Sequence, residues 1–176
     1  MTSQPTLSLQ SSDFILFGLP QQFAQERSSI DAAWKALQAQ THPDKFAAQG
    51  SAAQRLAMQW SVRINEAYQR LKTPLTRAAY LCTLAGVAID AERNTAMPSD
   101  FLMQQMQWRE ALDEAGREEP ALQALHDEAS HWQQAALQRC AALLDVAHDA
   151  AQAAGVVRQL LFVDKFLQEV ENRFPV

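Results

Sequence analysis

The sequence has few of the residues that metal sites, disulfide frameworks and β-sheets need. Its two cysteines, Cys82 and Cys140, lie 58 positions apart with no CxxC pair, which excludes a cysteine metal knuckle and a disulfide framework. Five glycines and almost no alternating β-branched segments leave little room for a sheet. We therefore expect an all-α protein of a reducing compartment.

Basic runs and long apolar runs are also missing. A net charge of −5 without a Lys/Arg run argues against a nucleic-acid partner. No apolar run approaches the ~18 residues of a membrane span. The Ser/Thr/Gln-rich residues 1–12 have neither the basic start nor the apolar core of a signal peptide, so they are interpreted as a flexible tail. The expected location is cytoplasmic.

Charge is distributed unevenly along the chain. Residues 1–97 carry nine Lys/Arg and seven Asp/Glu, whereas residues 98–176 carry six and thirteen. The first part is thus formally +2 and the second −7. This asymmetry predicts two surfaces with different partners, the first of them facing an acidic partner.

A polar loop separates two amphipathic helical patterns. His42-Pro43-Asp44-Lys45-Phe46 forms this loop. Pro43 lacks an amide hydrogen and disfavours a helical His42, so the first helix is expected to end near Thr41. An imidazole and a carboxylate then flank a rigid proline at the tip of a helical hairpin. The apolar positions that predict its two helices are Ile30, Ala33, Trp34 and Leu37, then Leu56, Trp60, Ile64, Ala67, Tyr68 and Leu71.

Local signals predict where these helices begin and end. Ser28-x-x-Asp31 and Gly50-Ser51-x-x-Gln54 are capping boxes for the two helices of the hairpin, the second of which is expected to end near Lys72. Thr73-Pro74 then restarts a shorter helix, with proline at a first position where its missing amide costs nothing.

The second half of the chain predicts a separate helical module. Residues 86–98 break the periodicity, and helical stretches follow at 100–116, 120–148 and 150–173. Short connections force neighbouring helices to reverse, so these three should form an antiparallel bundle. The expected organisation is a tail at 1–12, the hairpin module at 13–85, a linker at 86–98 and the bundle at 99–176.

The first bundle helix carries apolar residues on two sides. At roughly 100° per residue, Phe101, Trp108 and Leu112 form a core stripe. A three-helix bundle cannot bury both sides of an outer helix, so the second set is expected to be an exposed protein-binding surface in which flexible thioethers adapt to a partner and charges set register. Its members are Leu102, Met103, Met106, Gln107, Glu110 and Glu114.

The loop followed by Ile64-Asn65-Glu66-Ala67-Tyr68 resembles a J domain, the module that stimulates the ATPase of DnaK-class chaperones. From Phe14 onward the chain also resembles the HscB family, the J-domain co-chaperones of bacterial iron–sulfur cluster assembly. The segments that carry this resemblance are Leu16-Phe17-Gly18-Leu19-Pro20, His42–Phe46, Ile64-Asn65-x-Ala67, Thr73-Pro74-Leu75-x-Arg77-Ala78-x-Tyr80-Leu81, Phe101-Leu102-Met103-x-Gln105 and Arg109-Glu110-x-Leu112-Asp113-Glu114.

This resemblance implies a co-chaperone with no catalytic residues, no cofactor, no metal and two protein partners. One is an HscA-like DnaK-class chaperone, whose contacts would be His42, Pro43, Asp44, Lys45, Lys35 and Arg55. The other is an IscU-like iron–sulfur scaffold protein, bound by the bundle. The resemblance alone adds Phe162, on the last helix, to the scaffold-binding residues named above.

The sequence departs from the family pattern in two places and lacks one module that only some relatives carry. Gln107 replaces the usual acid, which removes one charge from the scaffold contact. Only Lys35 supplies positive charge in the helix before the loop, so the chaperone contact is expected to depend more on Lys45, Arg55 and the loop. The N-terminal cysteine-pair zinc module of some relatives has no counterpart in this sequence.

Other interpretations remain open. A general J-protein could serve unfolded clients through the same exposed surface. An enzyme could use His42 and Asp44 as acid and base, but no nucleophile or phosphate-binding loop accompanies them, and His126 and His131 lie about 140° apart on a helix. The chain could also be a helical scaffold in which His42 and Asp44 merely cap and turn the loop.

Overall fold

The computed structural model describes residues 7–90 and 96–175, and every regular element in these two ranges is helical. The all-α prediction is therefore confirmed. The chain divides between Tyr80 and Leu81 into two compact units. Parts of the predicted tail (1–6) and linker (91–95), and position 176 of the predicted bundle, lie outside the described residues. The predicted module boundaries stay predictions. Within the described ranges, no helix has the length and apolarity that crossing a membrane requires.

The first unit is built around a helical hairpin. Its elements are α1 (Asp13–Phe17), α2 (Arg27–Thr41), a 3-10 segment (Pro43–Gln49), α3 (Ser51–Lys72) and most of α4 (Pro74–Leu84). The predicted restart of the chain as α4 at Pro74 is confirmed. Ile30 on α2 and Ile64 and Leu71 on α3 are fully buried, as the helical spacing predicts.

One predicted core position of the hairpin is wrong. Leu56 is 51% exposed, whereas its neighbour Ala57 is buried. At this end of α3, close to the loop, the helix turns a methyl group rather than a leucine side chain towards the interior. The apolar pattern is therefore offset by one residue at the start of the helix.

Both capping-box predictions are also wrong. α2 begins at Arg27, one residue before Ser28, and no side chain caps it. Asp31 instead accepts hydrogen bonds from Arg27 Nε and the Tyr68 hydroxyl, both at 2.9 Å. α2 thus contains two cations rather than Lys35 alone, although Arg27 is already paired. α3 begins at Ser51 as expected, but after Gly50 (φ 94°) and without a side-chain cap.

The N-terminal part of the unit is held by buried arginine contacts. Asp13 is fully buried and accepts from Arg70 Nε and NH2 at 2.6 and 3.0 Å, while Arg63 NH2 lies 2.6 Å from it. Arg77, also buried, donates to the carbonyls of Phe23 and Leu71 at 2.8 and 2.6 Å. These contacts fix α1 and the following turn against α3 and α4.

The second unit contains the three predicted bundle helices. They are α5 (Ser99–Ala115), α6 (Glu119–Ala141) and α7 (Ala150–Glu171), and α6 continues into a π-helical turn at Ala142–Val146. The centre of the bundle is aromatic: the rings of Trp108 and Phe166 stack with centroids 5.3 Å apart. The buried residues of its core are Phe101, Trp108, Leu112, Ala115, Leu122, Leu125, Ala129, Val163, Phe166, Leu167 and Val170.

Candidate functional site

The loop after α2 is closed by short local hydrogen bonds. His42 leaves the helical region (φ −59°, ψ 126°), and Pro43 begins the 3-10 segment. The His42 imidazole Nδ1 accepts from the Asp44 amide at 3.3 Å, and the Lys45 amide donates to the His42 carbonyl at 3.0 Å. The predicted end of α2 at Thr41 is confirmed, and these hydrogen bonds define the shape of the loop.

The two polar side chains of the loop remain open to water. The His42 side chain is 56% exposed and that of Asp44 is 90% exposed. Within the described residues, the one recorded contact of the Asp44 carboxylate is the His42 Nδ1, 3.5 Å away. Capping therefore accounts for the His42 ring but not for the Asp44 carboxylate, which is available to a partner.

Three cations were predicted to accompany the loop. Lys45 lies in the 3-10 segment, Arg55 in the second turn of α3 and Lys35 in the middle of α2. All three are exposed, and none forms an ion pair with another described residue. They differ in this from Arg27 on α2, which is tied to Asp31 at 2.9 Å.

The second candidate site is the outer face of α5. Leu102, Met103 and Met106 are 44%, 62% and 72% exposed. Gln107, Glu110 and Glu114 are exposed beside them, whereas the stripe of Phe101, Trp108 and Leu112 is buried. The burial pattern expected from the helical period is confirmed. We call the six exposed residues the α5 patch.

Phe162, which the resemblance added to this site, lies on α7 beside α5 and is half-buried. Its ring meets Phe101 edge-on with centroids 6.0 Å apart, and the guanidinium of Arg109 lies 5.8 Å from its centroid. Arg109 NH1 also donates to Glu169 at 2.6 Å. The sequence analysis assigned no site role to Arg109. Arg109 lies about 20° from Leu102 on the helical wheel, and this position could have identified it as part of the surface.

Outside these two surfaces, the described residues include two buried thiols. Within residues 7–90 and 96–175, no three His, Cys, Asp or Glu side chains are grouped as metal ligands would be. Cys82 and Cys140 are buried, and burial raises the pKa of the Cys140 thiol to about 12. A thiol with so high a pKa is protonated at neutral pH and is a poor nucleophile.

Comparisons with known proteins agree with this arrangement. The family model described as HSCB C-terminal oligomerisation domain matches residues 97–171. The "Co-chaperone protein HscB homolog" of Burkholderia multivorans is 51% identical, with 93% of this chain and 94% of the relative covered. Its counterpart in Bordetella petrii is 48% identical over 92% and 95%.

Solved structures show the same likeness. The structure of "Chaperone HscB from Vibrio cholerae" matches with a TM-score of 0.81 and 36% identity, covering 92% of this chain and 96% of that one. Human co-chaperone protein HscB matches with a TM-score of 0.88 over 93% and 82%. At 21% identity, the human protein supports the fold alone.

Proposed function

The chain belongs to the HscB family of J-domain co-chaperones, and we propose that it stimulates the ATPase of an HscA-like, DnaK-class chaperone and delivers an IscU-like iron–sulfur scaffold protein to it. The observation that carries this proposal is the pair of exposed surfaces. A preformed loop presents the Asp44 carboxylate in one unit, and a helix in the other unit presents an apolar patch among carboxylates.

The loop supplies the chaperone contact. A 90% exposed carboxylate can form a charge-assisted pair with an arginine of the chaperone. Pro43 and the hydrogen bond from the Asp44 amide to His42 hold the backbone in place, so little conformational entropy is lost on docking. If the pair is desolvated, removing the Asp44 charge costs on the order of 2–5 kcal/mol of docking free energy.

The α5 patch supplies the scaffold contact. Met103 and Met106 can adjust to the partner's surface, while Glu110 and Glu114 orient it. Phe162 and Arg109 extend this surface towards α7. Holding the scaffold while the loop engages the chaperone couples delivery to ATP hydrolysis, which favours the tight-binding state of the chaperone.

The test is a double dissociation between the two surfaces. Asp44→Asn should abolish ATPase stimulation and leave scaffold binding unchanged. Leu102→Ser with Met106→Ser should lose scaffold binding and keep stimulation measured without scaffold. The matched controls are Glu119→Gln, an exposed acid outside both sites, and Val146→Ser, whose side chain is 79% exposed.

Two results would contradict the proposal. Unchanged stimulation by Asp44→Asn removes the loop from the mechanism. If an unfolded peptide, but not the scaffold, competes for the α5 patch, the chain serves unfolded clients as a general J-protein.

A further inference from the structure

Phe162 is the one predicted scaffold-binding residue that does not lie on α5. It is half-buried, so part of its ring remains open to a partner. A surface built from two helices presents one fixed shape only if the side chains of both helices keep their relative positions. The contacts that hold the Phe162 ring against α5 therefore matter for the scaffold contact.

Two side chains of α5 contact the Phe162 ring. Phe101 meets it edge-on with centroids 6.0 Å apart. The guanidinium of Arg109 lies 5.8 Å from the Phe162 centroid and 6.0 Å from that of Phe166, one turn further along α7. Phe166 is fully buried and belongs to the core of the bundle. Because a guanidinium is attracted to the face of an aromatic ring, Arg109 joins the half-buried ring to the fixed one.

Glu169 determines where the guanidinium lies. Phe162, Phe166 and Glu169 follow one another at i, i+4 and i+7 on α7, so they share one side of that helix. Arg109 NH1 donates to Glu169 Oε2 at 2.6 Å, and this charge-assisted bond selects one of the many rotamers of the arginine. Arg173 NH2 lies 4.0 Å from the other carboxylate oxygen, Oε1. The acid is therefore held between two cations.

We propose that Arg109 and Glu169 are positioning residues of the scaffold contact, which hold the Phe162 ring so that α7 and the α5 patch meet the scaffold as one surface. This inference rests on the proposed function. The two side chains are 49% and 39% exposed, and solvent screens such a pair, so it adds little to folding stability. Its effect is on binding, because a ring that is already held in place loses less conformational entropy when the scaffold docks.

The experiment is a double-substitution cycle on the full-length chain. The Kd for the iron–sulfur scaffold protein is measured for Arg109→Met, for Phe162→Ala and for the two together. Arg109→Met keeps the apolar stem but removes the guanidinium, and it should raise the Kd about fivefold. In the Phe162→Ala chain the same substitution should leave the Kd unchanged, because no ring remains to be held. A merely structural role of Arg109 would weaken binding in both chains.

Glu169→Gln should behave as Arg109→Met does in both chains, although Glu169 lies outside the α5 patch. The matched controls are Arg117→Met, which removes an exposed cation just after α5, and Glu119→Gln, which removes an exposed acid at the start of α6. Neither control should change the Kd.

A second measurement needs no scaffold. The couplings of the Phe162 β-protons, measured by NMR on the free chain, should report a single rotamer in the unsubstituted protein and averaging between rotamers in Arg109→Met.

An unchanged Kd for Arg109→Met overturns the inference, and the proposed function survives if Leu102→Ser with Met106→Ser still loses the scaffold. Equal losses with and without the Phe162 ring also overturn it, because Arg109 would then touch the scaffold itself or only stabilise the bundle. If the unsubstituted chain does not bind the scaffold, the proposed function fails. The Phe162 couplings then decide the positioning on their own: averaging in Arg109→Met supports it and a single rotamer refutes it.

Discussion

The two units are held together by different chemistry. Among the described residues, the buried charged ones, Asp13 and Arg77, both lie in the first unit, where Arg70 reaches Asp13 across 57 positions and Arg77 reaches the Phe23 carbonyl across 54. The bundle is instead filled by stacked and edge-on aromatic rings and by alanines and aliphatic residues. The first unit thus combines an apolar core with a few specific buried polar partners, whereas the core cluster of the second is apolar. The consequences of single substitutions should differ accordingly.

The largest expected effect is in the bundle. Trp108 is 2% exposed, stacks on Phe166 and donates from Nε1 to Glu128 at 2.8 Å. Trp108→Ala should lower the free energy of unfolding by about 3–5 kcal/mol, because it removes a large buried side chain and leaves a cavity. Hydrogen exchange followed by mass spectrometry should show the greatest acceleration in α6 and α7.

The control for this prediction lies on the same helix. Met103→Ala alters a side chain that is 62% exposed and should leave the free energy of unfolding within about 0.5 kcal/mol of the unsubstituted value. Comparable losses from both substitutions would mean that the outer face of α5 is part of the core, and the α5 patch would no longer be a binding surface.

The second prediction removes the buried charge of the first unit. Asp13→Asn keeps the shape of the side chain but leaves Arg63 and Arg70 without their counter-charge. Breaking one side of a buried ionic cluster should destabilise the unit by about 3 kcal/mol. Amide hydrogen exchange should become faster in α1 and in the Arg63–Arg70 stretch of α3.

Asp31→Asn provides the comparison for that substitution. Asp31 pairs with Arg27 on the surface, with the side chains 36% and 57% exposed. Because solvent screens such a pair, its loss should hardly change the rate of amide hydrogen exchange in α2. If the two substitutions had equal effects, the Asp13 cluster would be no more than another surface ion pair.

The same contrast explains which parts of the structure could be predicted from the sequence. The faces of α5 follow from a period of 3.6 residues inside one helix, so the buried Trp108 and the exposed Met106 could both be assigned. Asp13 could not, because Arg70 lies 57 positions away and no local pattern connects them. The Ser28 capping box failed for a related reason: Asp31 accepts from the side chains of Arg27 and of Tyr68 on α3, 37 positions away, rather than from a backbone amide at the start of its helix.

The candidate sites also differ in whether the sequence could predict them. The exposed His42–Asp44 loop followed from proline stereochemistry, a property of adjacent residues. The contact of the N-terminal segment with α3 was not predicted, because Arg63 donates to the Leu9 carbonyl from 54 positions away. Surfaces formed by one continuous segment can be predicted from sequence, whereas surfaces formed where two segments meet require the tertiary contacts.

The smallest predicted effect concerns the buried thiols of the second unit and appears only in alkali. Burial raises the pKa of Cys140 from its ordinary 9.0 to about 12, so the folded chain keeps a proton that the unfolded chain releases. The stabilising effect of the protonated thiol is complete below pH 9 and is lost as pH rises towards 12, at about 1.4 kcal/mol per pH unit.

Urea midpoints measured at pH 8 and pH 10 should therefore differ less for Cys140→Ala than for the unsubstituted chain. Burial also raises the pKa of Cys82, and the charge of Cys82 contributes to the raised pKa of Cys140, so the comparison reports the two thiols together. Identical pH dependence in the two proteins would show that the Cys140 thiol ionises as freely in the folded bundle as in the unfolded chain, and the bundle interior would then be less dry than its apolar packing indicates.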